Sequence, residues 1–191
     1  LLVENVSGAG GSIAVQKLLT APADGRSMLL GSPIDLIQTP LALAAVKHKP
    51  EDLRLVGLVA RANMLLVVRQ GVKASTVDEL IAQARTSPNE PLSYGSVGAG
   101  SIYHLVAEKF SQQTGVKMTH VPYKGAAPLL QDLMGGQIDI AFVPLAGGVI
   151  GMIESGRVKP LGLAAEKRHP LFPNVPTMAE GKLIKDFSYD S

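Results

Sequence analysis

The sequence predicts an α/β fold built as two lobes, and three observations predict it. Short apolar, strand-like runs alternate with segments of helical period along all 191 residues, the order that places parallel strands beneath helices. The apolar stretch 55–68 is long enough to cross from one lobe to another. A second run, 158–165, can cross back, which would close residues 66–165 into one lobe and leave 1–65 and 166–191 as two pieces of the other.

Strands are expected at 1–3, 27–30, 55–68 with an interruption, 91–94, 116–121, 138–142 and 158–163. The clearest helix starts at Ser75 or Thr76. Thr76 with Glu79 forms a capping-box pattern, in which a hydroxyl satisfies a backbone donor of the first turn, and Val77, Leu80, Ile81 and Ala84 make one apolar stripe. Another helix carries Ile102, Leu105, Val106 and Phe110 on one side. Further helices are expected over 126–134, stopped by Gly135 and Gly136, and over 145–154, stopped by Gly156.

Composition narrows the function. Hydrophobic residues make up 46% and charged ones 18%, which is globular rather than disordered. The 18 basic and 16 acidic residues are scattered, so no Lys/Arg stripe faces a phosphate backbone, and with no Trp and four each of Phe and Tyr there is no stacking groove for bases. Nucleic acid is not an expected partner. The lack of Cys removes disulfides, thiolate nucleophiles and Cys-ligated zinc. No apolar run reaches the roughly 18 residues of a membrane span, so membrane insertion is not expected, and the opening LLVEN lacks the basic start of a signal peptide.

The strongest local feature is YGSVGAGS at 94–101, a strand that ends in a Gly/Ser loop and feeds an amphipathic helix. Glycine lets a backbone approach a ligand, and the donors and dipole at a helix start attract an anion. Gly95, Ser96, Val97, Gly98, Ala99, Gly100 and Ser101 are therefore candidate ligand contacts, with hydroxyl donors at Ser96 and Ser101; a plain strand-to-helix turn capped by Ser101 is the competing reading. SGAGGS at 7–12 repeats the geometry, but it is not a full GxGxxG, and Asp24 precedes the second strand instead of ending it, so no nucleotide cofactor is expected.

Catalytic constellations are missing. Ser96 lacks the glycine two residues earlier that a nucleophile elbow requires. His48, His104, His120 and His169 show no metal-ligand spacing, so neither a metal nor acid–base catalysis is expected, and Asp132 and Asp139 read as a helix-face charge and a strand residue. HVPYKGAAPLLQDLMGGQIDIAF at 120–142 is a strand, turn, helix, turn, strand unit with Tyr123, Lys124 and Gly125 in its first turn, and the next turn begins at Val143 and Pro144. Because ligands lie beyond the carboxyl ends of parallel strands, the turns after Tyr94, Val121 and Phe142 should meet at one edge as one wall of a cleft. Gly31 and Ser32, in LLGSP, could supply the facing wall.

Together VENVSGAGGS, APADGRSMLLGS, TVDELIAQAR, YGSVGAGSIYHL, HVPYKGAAPLLQDLMGGQID and PNVPTMAEG, in this order, resemble the Bug family of extracytoplasmic solute receptors that serve tripartite tricarboxylate transporters. VPYKG at 121–125 with GGQID at 135–139 is the specific part. The resemblance implies a periplasmic protein of type II periplasmic binding fold, closing on a small carboxylate through backbone N–H groups, hydroxyls and water, with membrane transporter subunits as partners. It also implies an earlier strand and further C-terminal segments, so the chain is expected to be a fragment with an incomplete first lobe. Val143 and Pro144 stand where many members place Asp or Asn. The competing expectations are an effector-sensing domain of a transcription regulator and, less well supported by the residues, an α/β enzyme.

Overall fold

Met64, Leu65, Leu66, Val67 and Val68 are each at most 1% exposed, and this fixes the architecture. A strand that is apolar at every position must be covered on both faces. In the computed structural model, which describes residues 2–6, 8–60 and 63–189, that strand, β1 (Met64–Arg69), lies inside a five-stranded sheet. The others are β2 (Leu92–Ser96), β3 (Met118–Pro122), β4 (Ile140–Pro144) and β5 (Val158–Ala164), in the order β3-β2-β4-β1-β5. β2 runs parallel to β3 and β4, while β1 is antiparallel to β4 and to β5. The expected parallel sheet is therefore mixed: alternation of strand and helix shows that a strand is covered, and does not record which way it runs.

Alternation along the strands sorts the core. Leu65, Val67, Ala141 and Val143 pack with Leu129 and Leu133 of α5 (Ala126–Gly135) and with Val149 of α6 (Gly148–Glu154). Phe142 meets Phe110 of α4 (Ile102–Thr114) and Phe187 from the C-terminal segment, ring centroids 5.7 and 6.1 Å away. α3 (Val77–Thr86) buries Val77, Leu80 and Ile81. Its cap is as read, with Glu79 N donating to Thr76 Oγ1 at 3.1 Å, although the Glu79 carboxylate reaches Ser75 N instead of the cap residue. α5 ends on Gly136 at φ 78, a left-handed position that glycine occupies without strain. α6 begins at Gly148 and not at 145, because Ala146 N turns back to Pro144 O.

The chain divides into two compact units: residues up to Val59 with Gly100–Ile102, and Ala60–Ala99 with the residues from Tyr103 onward. The second unit contains the whole sheet. It also contains residues 166–189, expected with the flanking lobe: Tyr189 N donates to Ala164 O, Leu163 bridges Thr177, and Lys182 N donates to Asp78. Their backbone groups find partners on β5 and α3, which holds them to the sheet.

The first unit has α1 (Ser12–Leu19), a π turn at Ile34–Gln38, α2 (Thr39–Ala42) and a short turn at Pro50–Asp52. The strands expected at 1–3, 27–30 and 55–60 are not formed among its described residues. Leu1, Arg61 and Ala62 lie outside the described residues. A strand needs a neighbour to take its backbone donors and acceptors, and no described residue of this unit pairs with these segments.

Candidate functional site

Because β2, β3 and β4 are neighbours that run the same way, the turns after Ser96, Pro122 and Pro144 emerge at one edge of the sheet, as the sequence predicts. Tyr123 N donates to Ser96 O at 2.8 Å and ties two of them together. β1 starts, and β5 ends, at this same edge, since Met64 lies opposite both Pro144 and Ala164.

The individual residues divide by role. Gly95 is a packing glycine: a Cβ there would come within 2.6 Å of Ile138 Cδ1 and 3.0 Å of Leu129 Cγ, so its bareness admits α5. Gly98 has φ +123, which side chains rarely tolerate, and open space where a Cβ would stand. Val97 is half-buried and Ala99 exposed, whereas Gly100 and Ser101 group with the first unit. Lys124 is exposed and Gly125 precedes α5 in extended conformation, with no side-chain cap on that helix. Tyr123 hydroxyl donates to Asp132 Oδ2 at 2.8 Å, and burial together with that carboxylate pushes its pKa up to about 12. Val143 is buried in the core, so only its backbone can reach the edge, and Pro144 follows at the turn.

Gly31 and Ser32 lie in the first unit, where Ser32 N and hydroxyl both donate to Asp35 Oδ2 at 2.8 and 3.1 Å. The same Asp35 carboxylate lies against Gly11, where any Cβ would collide with it. The glycine of the SGAGGS loop thus makes room for the protein's own anion; Ser7 lies outside the described residues. An open groove of about 530 Å³ in this unit, lined by Ser12, Ile13, Gln16, Lys17 and residues 45–48, is built by α1 and a loop.

The sequence reading missed a polar cluster beneath the β2 turn. Tyr94 and His120 are register partners on β2 and β3, with rings stacked at 4.9 Å, and His104 of α4 stacks on His120 at 4.3 Å. Ser96 Oγ, fully buried, is 2.6 Å from His120 Nε2. Tyr94 hydroxyl donates to Glu108 Oε1 at 2.6 Å, and His104 Nε2 is 3.9 Å from the same oxygen. Burial, then Glu108, pushes the Tyr94 pKa far up; burial, then neighbouring His104, lowers that of His120, with Glu108 opposing. The available signal was His104 and Glu108 at i, i+4 on α4, facing strand positions of matching register. No group of three His, Asp or Glu side chains able to hold a metal occurs among the described residues.

Comparison with known proteins settles the family. The family model of the tripartite tricarboxylate transporter family receptor matches residues 1–190. The chain belongs to this receptor family. BugT of Bordetella pertussis is 35% identical over 184 residues, covering 94% of this chain and 55% of BugT. The R. palustris protein Rpa4515, solved with adipate, superposes at TM-score 0.91 with 33% identity, over 99% of this chain and 62% of its own. The periplasmic binding protein BugD superposes at TM-score 0.80 with 28% identity, over 99% and 62%. The chain therefore has the α/β fold of periplasmic binding proteins and spans about half the length of the curated relatives it matches. Its family consists of receptors and not enzymes, as the sequence predicts.

Proposed function

We propose that this protein is a periplasmic solute receptor that captures a small carboxylate for a tripartite tricarboxylate-type transporter, whose membrane subunits are its partners. The observation that carries the reading is the superposition of 99% of this chain on 62% of Rpa4515, which was solved with adipate. The strand-end turns support it: the candidate residues from Ser96 to Ala99, Tyr123 to Gly125, and Val143 with Pro144 follow or end three adjacent parallel strands. Gly98 and Gly125 supply backbone without side chains there, and one positive charge, Lys124, stands exposed beside them. Backbone donors with a cation are the equipment for a carboxylate. Gly31, Ser32, Gly100 and Ser101 belong to the same proposal as candidate contacts, and residues 66–165 as one lobe. No helix of the described residues is long and apolar enough to cross a membrane. The family match leaves the transcription-regulator reading without support.

Calorimetric titration of the protein at its natural length with adipate, malate and citrate, and with arginine and glucose as controls, tests the reading. Saturable heat from one of the carboxylates alone is expected. Binding of arginine or glucose without any carboxylate would overturn it.

A further inference from the structure

The Ser96 hydroxyl is fully buried and has three partners: His120 Nε2 at 2.6 Å, Gly98 N, which donates to it at 3.1 Å, and Gly98 O at 3.1 Å. A hydroxyl has one proton and two acceptor positions. It can donate to His120 Nε2 or to Gly98 O, and not to both. When Nε2 is bare, it accepts the hydroxyl's hydrogen bond. When Nε2 carries a hydrogen it must donate to Ser96 Oγ, and the hydroxyl then turns to Gly98 O while still accepting Gly98 N–H. An imidazolium permits only this second arrangement.

Gly98 is also the residue at φ +123 in the turn proposed to meet the carboxylate. Glycine enters that region without strain, so its peptide is placed by the bonds it makes, and two of these are with Ser96.

We propose that His120 is a positioning residue of the receptor: through the Ser96 hydroxyl it sets the Gly98 peptide of the binding turn, and its protonation tightens the turn on an anion. This rests on the reading that the turn meets the carboxylate. The titratable groups facing His120 are Tyr94 from its partner strand, with His104 and Glu108 from α4. Burial and His104 disfavour the imidazolium and outweigh Glu108, so His120 gains its proton below the usual histidine range. An anion at the turn favours the charged form, so its pKa is higher in the complex. Affinity then rises as pH falls through the complex value and levels off below the value of the unbound protein.

The test has a ligand-free and a ligand-bound arm, both on the protein at its natural length. In the first, the Gly98 amide NMR shift follows the His120 imidazole titration with the same midpoint in the wild type, and stops following it in Ser96→Ala. A Gly98 amide that ignores the imidazole overturns the proposal. In the second, adipate affinity is measured from pH 8 to pH 5 as the ratio of wild type to His120→Gln, so that the ligand's own titration cancels. The ratio is expected to rise about three- to tenfold, equivalent to roughly half to one pKa unit of coupling, and to stay flat when both proteins carry Ser96→Ala. A flat ratio in the wild-type background, or an undiminished rise with Ser96→Ala, overturns it. Should His120→Gln fail to fold, proton uptake on adipate binding, read from wild-type calorimetry in buffers of different ionisation heat, takes its place: uptake below pH 6.5 supports the proposal and its absence overturns it. If the amide follows the imidazole but adipate, malate and citrate all fail to bind at every pH, the receptor reading fails while the hydroxyl relay stands.

Discussion

The two units are written in the same alphabet and fold to very different extents. In the second, the run Met-Leu-Leu-Val-Val of β1 is at most 1% exposed, held between β4 and β5 and covered on both faces. In the first, Met28, Leu30, Leu55 and Val56 are 74%, 81%, 79% and 86% exposed on segments with no regular structure. Apolar, β-prone side chains alone do not make a strand. What separates the regions is whether another strand stands beside them to take the backbone groups and another layer covers the face.

If burial is what distinguishes the units, substitutions should rank accordingly. Phe142→Ala, at the meeting of β4, α4 and the C-terminal segment, should cost about 3 to 5 kcal/mol of stability in urea denaturation. Asp139→Asn should cost about 2 to 4 kcal/mol by leaving Arg69 without its charged partner. Burial raises the Asp139 carboxyl, but Ser93 N, Ser93 hydroxyl and Arg69 Nε outweigh it and hold the pKa below its ordinary value. Its contribution is thus complete above the unfolded carboxyl pKa of about 3.9 and is lost as pH falls through the lower folded value. The stability gap between wild type and Asp139→Asn should therefore close on acidification below about pH 4. A gap that widened there would break the assignment. Gly95→Ala should cost about 1 to 3 kcal/mol, because the added carbon collides with Ile138 and Leu129 under α5. Thr76→Ala, which removes one cap of α3, should cost about 1 kcal/mol. Leu55→Ala, on the exposed segment, should stay within about 0.5 kcal/mol; a loss as large as that of Phe142→Ala would show that the first unit buries far more than its geometry indicates.

Much of the second unit was legible. All five of its strands lie within runs marked from the sequence or shifted from them by a residue or two, because apolar residues dominate β1, β4 and β5 and Gly or Pro stands at or near one end of each strand. The Thr76 cap and the Gly136 stop were readable because their chemistry is local. The direction of β1 was not, since it depends on which strands flank it. In the candidate site, the convergence of the three turns followed from strand order, but the inward aim of Ser96 did not. That hydroxyl was expected to face a ligand; it faces His120, a partner 24 positions away that only the register of β2 with β3 brings near. Gly95 likewise reads as a ligand-approach glycine in sequence, but Leu129 of α5 lies against it.

The antiparallel insertion of β1 between β4 and β5 also sets the timing of folding. Arg69 must wait for Asp139, 70 positions later, and the strand's other neighbour, β5, is later still. At a synthesis rate of about 5 to 20 residues per second, the nascent strand spends roughly 4 to 14 seconds without its first partner. Throughout that interval its five consecutive apolar residues are a sticky, uncharged edge of the kind that seeds aggregation. A sheet with an inner strand that is made first and must wait for later partners has high contact order and closes slowly, so this chain should depend on holding chaperones during its synthesis more than a receptor whose sheet zips up in sequence order.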